Sequence, residues 1–496
     1  MAVVELALVG AYLVLALAVG LVAFRLTDDT AEDYYLASRS LGTVVLLFTT
    51  FATLLSAFTF FGGPTLTYAR GPEWMLVMGL MDGVLFAVLW YVVGYRQWLL
   101  GRDEGYVTLG EMLGDRFGST GLRVLVAGVS LFWLLPYVML QQRGAGQAVV
   151  GLTDGAVPYW VGAGGITLFM IAYVVASGMR GVAWTDTLQG VFMLAFIWGA
   201  VVWVLAAVGG PTAATEALAD SNPEFLVLGG GLYTPQYVVG TAVYIAFGVT
   251  MFPQINQRFF AADSAATLKR TFSLWPVLVV LLFLPAFMLG TWAAGLGVVV
   301  PEGGNVIPAV LREFTPAWFA ALVVAGALAA MMSSSDSMLL SGSSYFTRDV
   351  YAPLAGEADR EALLGRAVVV GFAVAAFALS LTATQSIVRI GNTAFGGFAQ
   401  LTLPVIAALY WPRTTRTGML AAVAGAQLFY LGTLVAGVIL GPFENMGSVG
   451  ATYYLGWHPG IPGMLLSLLL VVGVSVATSP SPGEDVGAYF GGQRAD

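Results

Sequence analysis

The stretch AAMMSSSDSMLLSGSS, residues 329–344, places seven serines and one aspartate in sixteen positions. It continues directly from WFAALVVAGAL, residues 318–328, a run fit for a lipid bilayer. On a helix, Ser333, Ser337, Ser341 and Ser344 step by four, four and three, so they form one stripe with Ser334 beside it. Such a stripe cannot face hydrocarbon; it faces another helix or water. Close helix packing, with hydroxyls bonded to carbonyls, accounts for the lower serines. The upper pair suits a different task. Adjacent hydroxyls, together with carbonyls freed by a broken neighbouring helix, surround a small hard cation such as Na+ without the expense of a buried carboxylate.

Composition places this stretch in context. Of 496 residues 58% are hydrophobic and 10% charged, with a mean hydropathy of +0.84. A soluble chain of this length needs more charge to cover its surface, so the pattern is that of a polytopic membrane protein. With no cysteine there is no disulfide, thiol catalysis or iron–sulfur ligation, and the one histidine, His458, cannot supply paired haem ligands. GGPTLTYARG and GNTAFGGF are glycine-rich, but no GK[ST] follows either, so neither is a phosphate loop. Nothing suggests an enzyme or a nucleic-acid partner; the expected surroundings are membrane lipid.

Hydropathy gives thirteen spans, near 2–24, 43–68, 74–99, 122–150, 157–177, 183–208, 234–260, 272–299, 316–347, 363–383, 388–411, 416–440 and 461–478. At about 1.5 Å rise per residue these are matched to about 30 Å of hydrocarbon. The first cation, Arg25, follows the first apolar run, so residues 2–24 read as a retained helix rather than a signal peptide. With the N-terminus outside, sixteen of the twenty basic residues fall on the cytoplasmic side, Arg258 among them, as the positive-inside rule requires. The expectation is a multi-pass cell-membrane protein with a cytoplasmic C-terminus. Residues 481–496 read as a disordered tail.

Two spans look interrupted. TVVLLFTTFATLLSAFTFFGGPTLTY (43–68) carries Thr53, Ser56 and Ala57 at mid-depth, then Gly62, Gly63 and Pro64. GTAVYIAFGVTMFPQINQRFF (240–260) carries Gly248, Thr250 and Pro253. They lie five spans apart and therefore run in opposite directions. Paired interruptions in corresponding, oppositely directed helices point to an inverted-repeat transporter with a midplane site.

AGALAAMMSSSDSMLLSGSSYFTRDVY (325–351) resembles the signature helix of the sodium:solute symporter family. LASRSLGTVVLLFTTFATLLSAFTFFGGP (36–64) resembles its first core helix, GMRGVAWTDTLQG (178–190) its fourth-to-fifth helix junction, and FPQINQRFFAAD (252–263) the exit of its sixth. The four motifs stand in family order. The resemblance implies an all-α, LeuT-type core of two inverted five-helix repeats, residues 43–411. Residues 1–42 would form a preceding helix and loop, and 412–480 two following helices. It implies sodium as the coupling ion, held by carbonyls of Ala52, Leu55 and Ala330 and by the hydroxyls of Ser333 and Ser334. Asp186 matches an acidic family position near the cytoplasmic path; as a residue read alone it equally suits an N-cap for the following helix. In proline-transporting relatives the residue here occupied by Leu54 is typically aspartate, which counts against a plain proline carrier.

Intramembrane charges are few: Asp82, Asp336, Arg143 and Arg389. Each needs a partner or water. Asp82 lies close to where sugar carriers of the family place a substrate-binding acid. Arg143 follows PYVMLQQ (136–142), which resembles the monocarboxylate branch; it could hold a substrate carboxylate, or pair with Asp82, or reach the outer interface. Substrate contacts are expected at both breaks, from Thr53, Ser56 and Ala57, from Gly248, Thr250 and Gln254, and from Gln141 and Gln400 on flanking helices, with Phe58, Tyr244 and Phe247 as gating aromatics. The expected cargo is a monocarboxylate, pantothenate or an amino acid such as proline, taken up with sodium by alternating access. The alternatives are a proton-coupled carrier with Asp82 or Asp336 as relay, and an uncoupled facilitator or channel. A channel would show repeated rings of carbonyls or charges, and none is visible.

Overall fold

The computed structural model describes residues 2–25, 30–153, 155–301, 304–356, 360–440, 456–480 and 489–490. Among these the secondary structure is helical: α1 (Ala2–Phe24), α2 (Ala31–Leu36), α3 (Thr43–Leu54), α4 (Phe58–Arg70), α5 (Met75–Glu104), α6 (Leu109–Arg116), α7 (Thr120–Leu152), α8 (Tyr159–Ala176), α9 (Gly178–Val208), α10 (Pro211–Ser221), α11 (Pro235–Thr250), α12 (Pro253–Ala261), α13 (Ala265–Gly295), α14 (Val306–Phe314), α15 (Ala317–Ala355), α16 (Glu361–Thr382), α17 (Ile387–Tyr410), α18 (Arg416–Leu440) and α19 (Gly460–Ala477). Eleven helices are long and apolar enough to cross a membrane by themselves, and two bent pairs, α3+α4 and α11+α12, bring the number to thirteen. All thirteen fall on the spans read from hydropathy.

Helix ends follow local chemistry. Thr108 and Glu111 form a reciprocal capping box at α6, Ser119 and Ser264 cap α7 and α13, and prolines open α11 and α12, where a missing N–H costs nothing. The serine-bearing α15 is the most enclosed of the eleven unbroken spans, with its 18-residue apolar window 78% buried, whereas that of α16 is 22% buried. α15 is therefore the axis of the bundle, packed by α1, α3, α7, α8, α9, α12 and α16.

The bends are 58° for α3+α4 and 55° for α11+α12. Their cause differs from the sequence expectation. Gly62, Gly63 and Pro64 do not interrupt the first span; they lie inside α4. A Cβ on Gly63 would stand 2.1 Å from the Phe287 ring, so this glycine exists for close packing on α13. The chain opens instead at Leu55 and Ser56. Gly248 is also helical, and its Cβ would stand 2.2 Å from the Phe395 carbonyl oxygen; the second opening is at Met251 and Phe252.

The fifth and sixth spans join with no loop. Gly178, at φ 56° and ψ −153°, turns α8 into α9 in a conformation open only to glycine. The α9 helix begins there, so Asp186 lies about two turns inside it and is no N-cap, contrary to one of its two readings.

One face of the bundle, rich in arginine, is closed by direct ties. Arg39 donates to the carbonyls of Phe260 (3.2 Å) and Tyr106 (2.9 Å), Trp98 donates to Ala262 (3.0 Å), and Leu41 exchanges backbone hydrogen bonds with Ala261 and Asp263. Tyr35 and Thr347 lie within 3.0 Å, and Asp33 pairs with Arg180 at 2.7 Å. The tail 481–496 lies outside the described residues except for Tyr489 and Phe490, which pack against this face rather than trailing from it.

Gly178→Ala should cost about 1–3 kcal/mol from backbone strain, and more because the new Cβ would stand 2.6 Å from the Tyr34 carbonyl oxygen. Gly165→Ala, where a Cβ meets nothing within 4 Å, is the control. Thermal unfolding in detergent should show a clear loss for the first and little change for the second.

Candidate functional site

The first break exposes backbone groups that lipid cannot serve, and side chains take them up. Gln141 Oε1 accepts from Ala57 N at 2.8 Å, and Ser56 Oγ accepts from Phe58 N at 3.2 Å, so two residues expected to touch cargo cap the restarting helix. Ser56 also lies 3.2 Å from the Tyr137 hydroxyl. On the other side of the break, the Ser334 hydroxyl reaches the carbonyls of Thr53 (2.8 Å) and Leu55 (2.6 Å). One hydroxyl proton serves only one of them at a time, so these oxygens converge with acceptor capacity to spare. The Ala52 carbonyl already accepts from Leu55 N (3.1 Å), and Ala330 lies one turn before Ser334 on the buried α15.

Ser333 turns towards a second cluster. Its hydroxyl donates to Asp186 Oδ1 at 2.5 Å, and Thr49 donates to Asp186 Oδ2 at 2.5 Å. Arg258 Nη2 reaches Asp186 Oδ2 (2.9 Å), Ser337 Oγ (2.6 Å) and Thr49 Oγ1 (2.8 Å). Thr53 Oγ1 lies 2.7 Å from Ser337 Oγ. Asp336 accepts from the Tyr173 hydroxyl and, at 2.7 Å, from Ser337 N. Asp186, Asp336 and Arg258 are all buried. The sequence had Arg258 among the cytoplasmic cations; it is instead the sole guanidinium of this cluster. Its signal was its place inside the second interrupted span. Tyr173 and Thr49 carried none, because single hydroxyls in apolar runs are ordinary.

At the second break, Asn256 donates to the carbonyls of Thr250 (3.0 Å) and Phe252 (2.8 Å). The Thr250 hydroxyl returns to Ala246. Both polar side-chain atoms of Gln254 are buried without a hydrogen-bond partner among the described residues, as are both carboxylate oxygens of Asp82. Asp82 does not pair with Arg143, which donates to the Ala383 carbonyl. Gln400 is not brought to the breaks; it donates to Gly396 and Gly460 and faces α19. Tyr244 stacks on His458 (4.1 Å between centroids) and the Phe247 carbonyl accepts from Thr402, whereas Phe58 packs edge-on against Phe395 near the first break. Burial pushes the His458 imidazole down to about 3, so this lone histidine is a neutral packing group.

Beside the first break lies a cavity of about 20 Å³, room for a water molecule and far too small for an organic solute. Its wall includes Leu54, Phe58, Met78, Phe86, Val249 and Trp275.

The model of the sodium:solute symporter family matches residues 34–425. The chain belongs to the sodium:solute symporter family. It is a transporter, not an enzyme. The sodium/pantothenate symporter of Escherichia coli (strain K12) is 29% identical over 95% of this chain and 96% of that protein. The sodium/proline symporter of Haemophilus influenzae (strain ATCC 51907 / DSM 11121 / KW20 / Rd) is 27% identical over 95% of this chain and 94% of its own length. A solved structure of a Na+-coupled sialic acid symporter, in a substrate-bound outward-open state, overlaps with a TM-score of 0.76 at 19% identity, covering 96% of this chain and 98% of that one. That likeness carries the fold, and with the paired breaks the architecture is the LeuT-type inverted repeat.

Arg258→Met leaves Asp186 without its guanidinium and should destabilise the protein by about 3–5 kcal/mol. Combining it with Asp186→Asn should recover most of that loss. Thermal unfolding of both variants in detergent checks the pair.

Proposed function

We propose that the protein takes up a small organic acid or zwitterion together with Na+, by alternating access, with its arginine-rich face towards the cytoplasm. The observation that carries the cation site is the convergence of Ser334 Oγ with the Thr53 and Leu55 carbonyls at the first break. Ser333, one residue earlier, and Ala330, one turn earlier, supply further oxygens as the helix rocks. The adjoining cluster supports a monovalent cation on charge: two buried carboxylates, Asp186 and Asp336, face one guanidinium, Arg258. Only Asp186 of the two pairs directly with Arg258, so Asp336 has carboxylate capacity left to answer a cation arriving nearby.

Cargo chemistry is read from the cavity wall. Most of the wall, including Leu54, Phe58, Met78, Phe86 and Val249, offers no side-chain hydrogen bond, with Thr59, Tyr137 and Trp275 as the polar exceptions, so the bound solute presents an apolar flank there. This favours a branched or cyclic aliphatic body, as in pantothenate or proline, over a sugar. With about 20 Å³ available the solute enters only when the bundle opens, which alternating access provides. A second reading, proton coupling, rests on Asp82, whose carboxylate is buried without a hydrogen-bond partner among the described residues.

Proteoliposomes with an imposed sodium gradient, offered labelled pantothenate, proline and pyruvate in parallel, test this directly. Accumulation should require sodium and be lost in Ser333→Ala/Ser334→Ala. Leu54→Asp should raise the KM for the apolar-flanked solute more than tenfold. Accumulation that ignores sodium, follows a pH gradient and vanishes in Asp82→Asn would move the coupling to protons.

A further inference from the structure

Tyr489 is 4% exposed although it lies close to the end of a polar, glycine-rich tail. Its hydroxyl donates to the Met112 carbonyl of α6 at 2.5 Å and stands 3.1 Å from the Tyr106 hydroxyl. Its own carbonyl accepts from Arg96 Nη2 of α5 at 2.7 Å. Arg116, at the end of α6, lies over the rings of both Tyr489 (5.6 Å) and Phe490 (4.9 Å), and Arg96 lies 5.7 Å over Phe490. Arg116 is itself buried, 1% exposed, and donates to the Ala408 and Trp411 carbonyls at the end of α17. Two residues of the tail thus join α5, α6 and α17.

Their position matters because the joined elements border the closed face. Tyr106, beside the Tyr489 hydroxyl, is the residue whose carbonyl Arg39 holds, and Arg39 also holds Phe260 at the end of α12. Trp98, on the same helix as Arg96, holds Ala262. Behind these ties, Gln257 of α12 donates to Ser344 of α15 at 2.8 Å, a contact that must break if a path opens between α12 and the serine stripe. Two buried arginines stacked on aromatic rings and two hydrogen bonds form a defined seat, more than a tail of this composition needs for solubility.

We infer that Tyr489 and Phe490 form a latch: docked, they hold the arginine-rich face shut, and their release lets that face open. The latch rests on alternating access but not on which solute or ion is carried. Two hydrogen bonds of ordinary strength bias a two-state equilibrium by about tenfold or more.

The chain has no cysteine, so Ser344→Cys makes a single reporter behind the closed face. In inside-out vesicles without sodium, a membrane-impermeant maleimide should label it slowly. Truncation after Pro480, and separately Tyr489→Ala/Phe490→Ala, should raise the labelling rate about tenfold, and a synthetic peptide of residues 481–496 should bring the truncated protein back to the slow rate. Labelling unchanged by both alterations overturns the latch. Faster labelling that the peptide does not reverse also overturns it, by showing that the tail serves folding alone. Since no solute is transported in this measurement, its outcome is separate from that of the cargo assignment.

Discussion

A backbone opened in the middle of a bilayer has no water to satisfy it, and this protein opens its backbone twice. At Leu55 and Ser56 the exposed groups are met by Gln141, by Ser56 itself and by Ser334. At Met251 and Phe252 they are met by Asn256 and by short local turns. The rest of the bundle serves this requirement. α15 must run where its serines reach the first break and α12 just past the second, and it is the most enclosed of the eleven unbroken spans. Helices elsewhere in the bundle also approach closely, which small residues allow: Gly248 of α11 against Phe395 of α17 and Gly63 of α4 against Phe287 of α13 are tight enough that any side chain would be forced apart.

Function follows from the same requirement. Oxygens gathered to satisfy a broken helix are the same oxygens that the proposed cation site would use. The Arg258–Asp186 pair adds electrostatics to this. A guanidinium buried among hydroxyls is held by one carboxylate, while Asp336 accepts from the Tyr173 hydroxyl, from Ser337 N and, at 3.5 Å, from the Ser337 hydroxyl. The arrangement links α12, just past the second break, to the serine stripe and to α9.

The thirteen spans, the serine helix and which two spans are broken were legible in the sequence, because hydropathy and a helical period act over short distances; the positions of the breaks were not, since Gly62, Gly63, Pro64 and Gly248 are helical. The site was legible in part. Ser333, Ser334, Thr53, Leu55 and Asp186 do gather around the first break. Gln141, expected at the break from a flanking helix, does reach it, where its amide oxygen accepts from an N–H eighty-four residues away. Gln400 was placed at the break by its helix and turned away by rotation of that helix towards α19. Asp82 and Arg143 attracted each other on paper only because both were intramembrane charges.

The sequence alone determined the membrane setting, the number of spans and the family, since these rest on composition, periodicity and contiguous motifs. Only the tertiary structure decided which side chain answers which backbone group, that Arg258 enters the bundle to meet Asp186, and that Tyr489 returns to cover Arg96 and Arg116. Each of these pairs residues far apart in the chain. A hydrogen bond or a cation over a ring is settled by distances of a few tenths of an ångström, and nothing along the linear order records them.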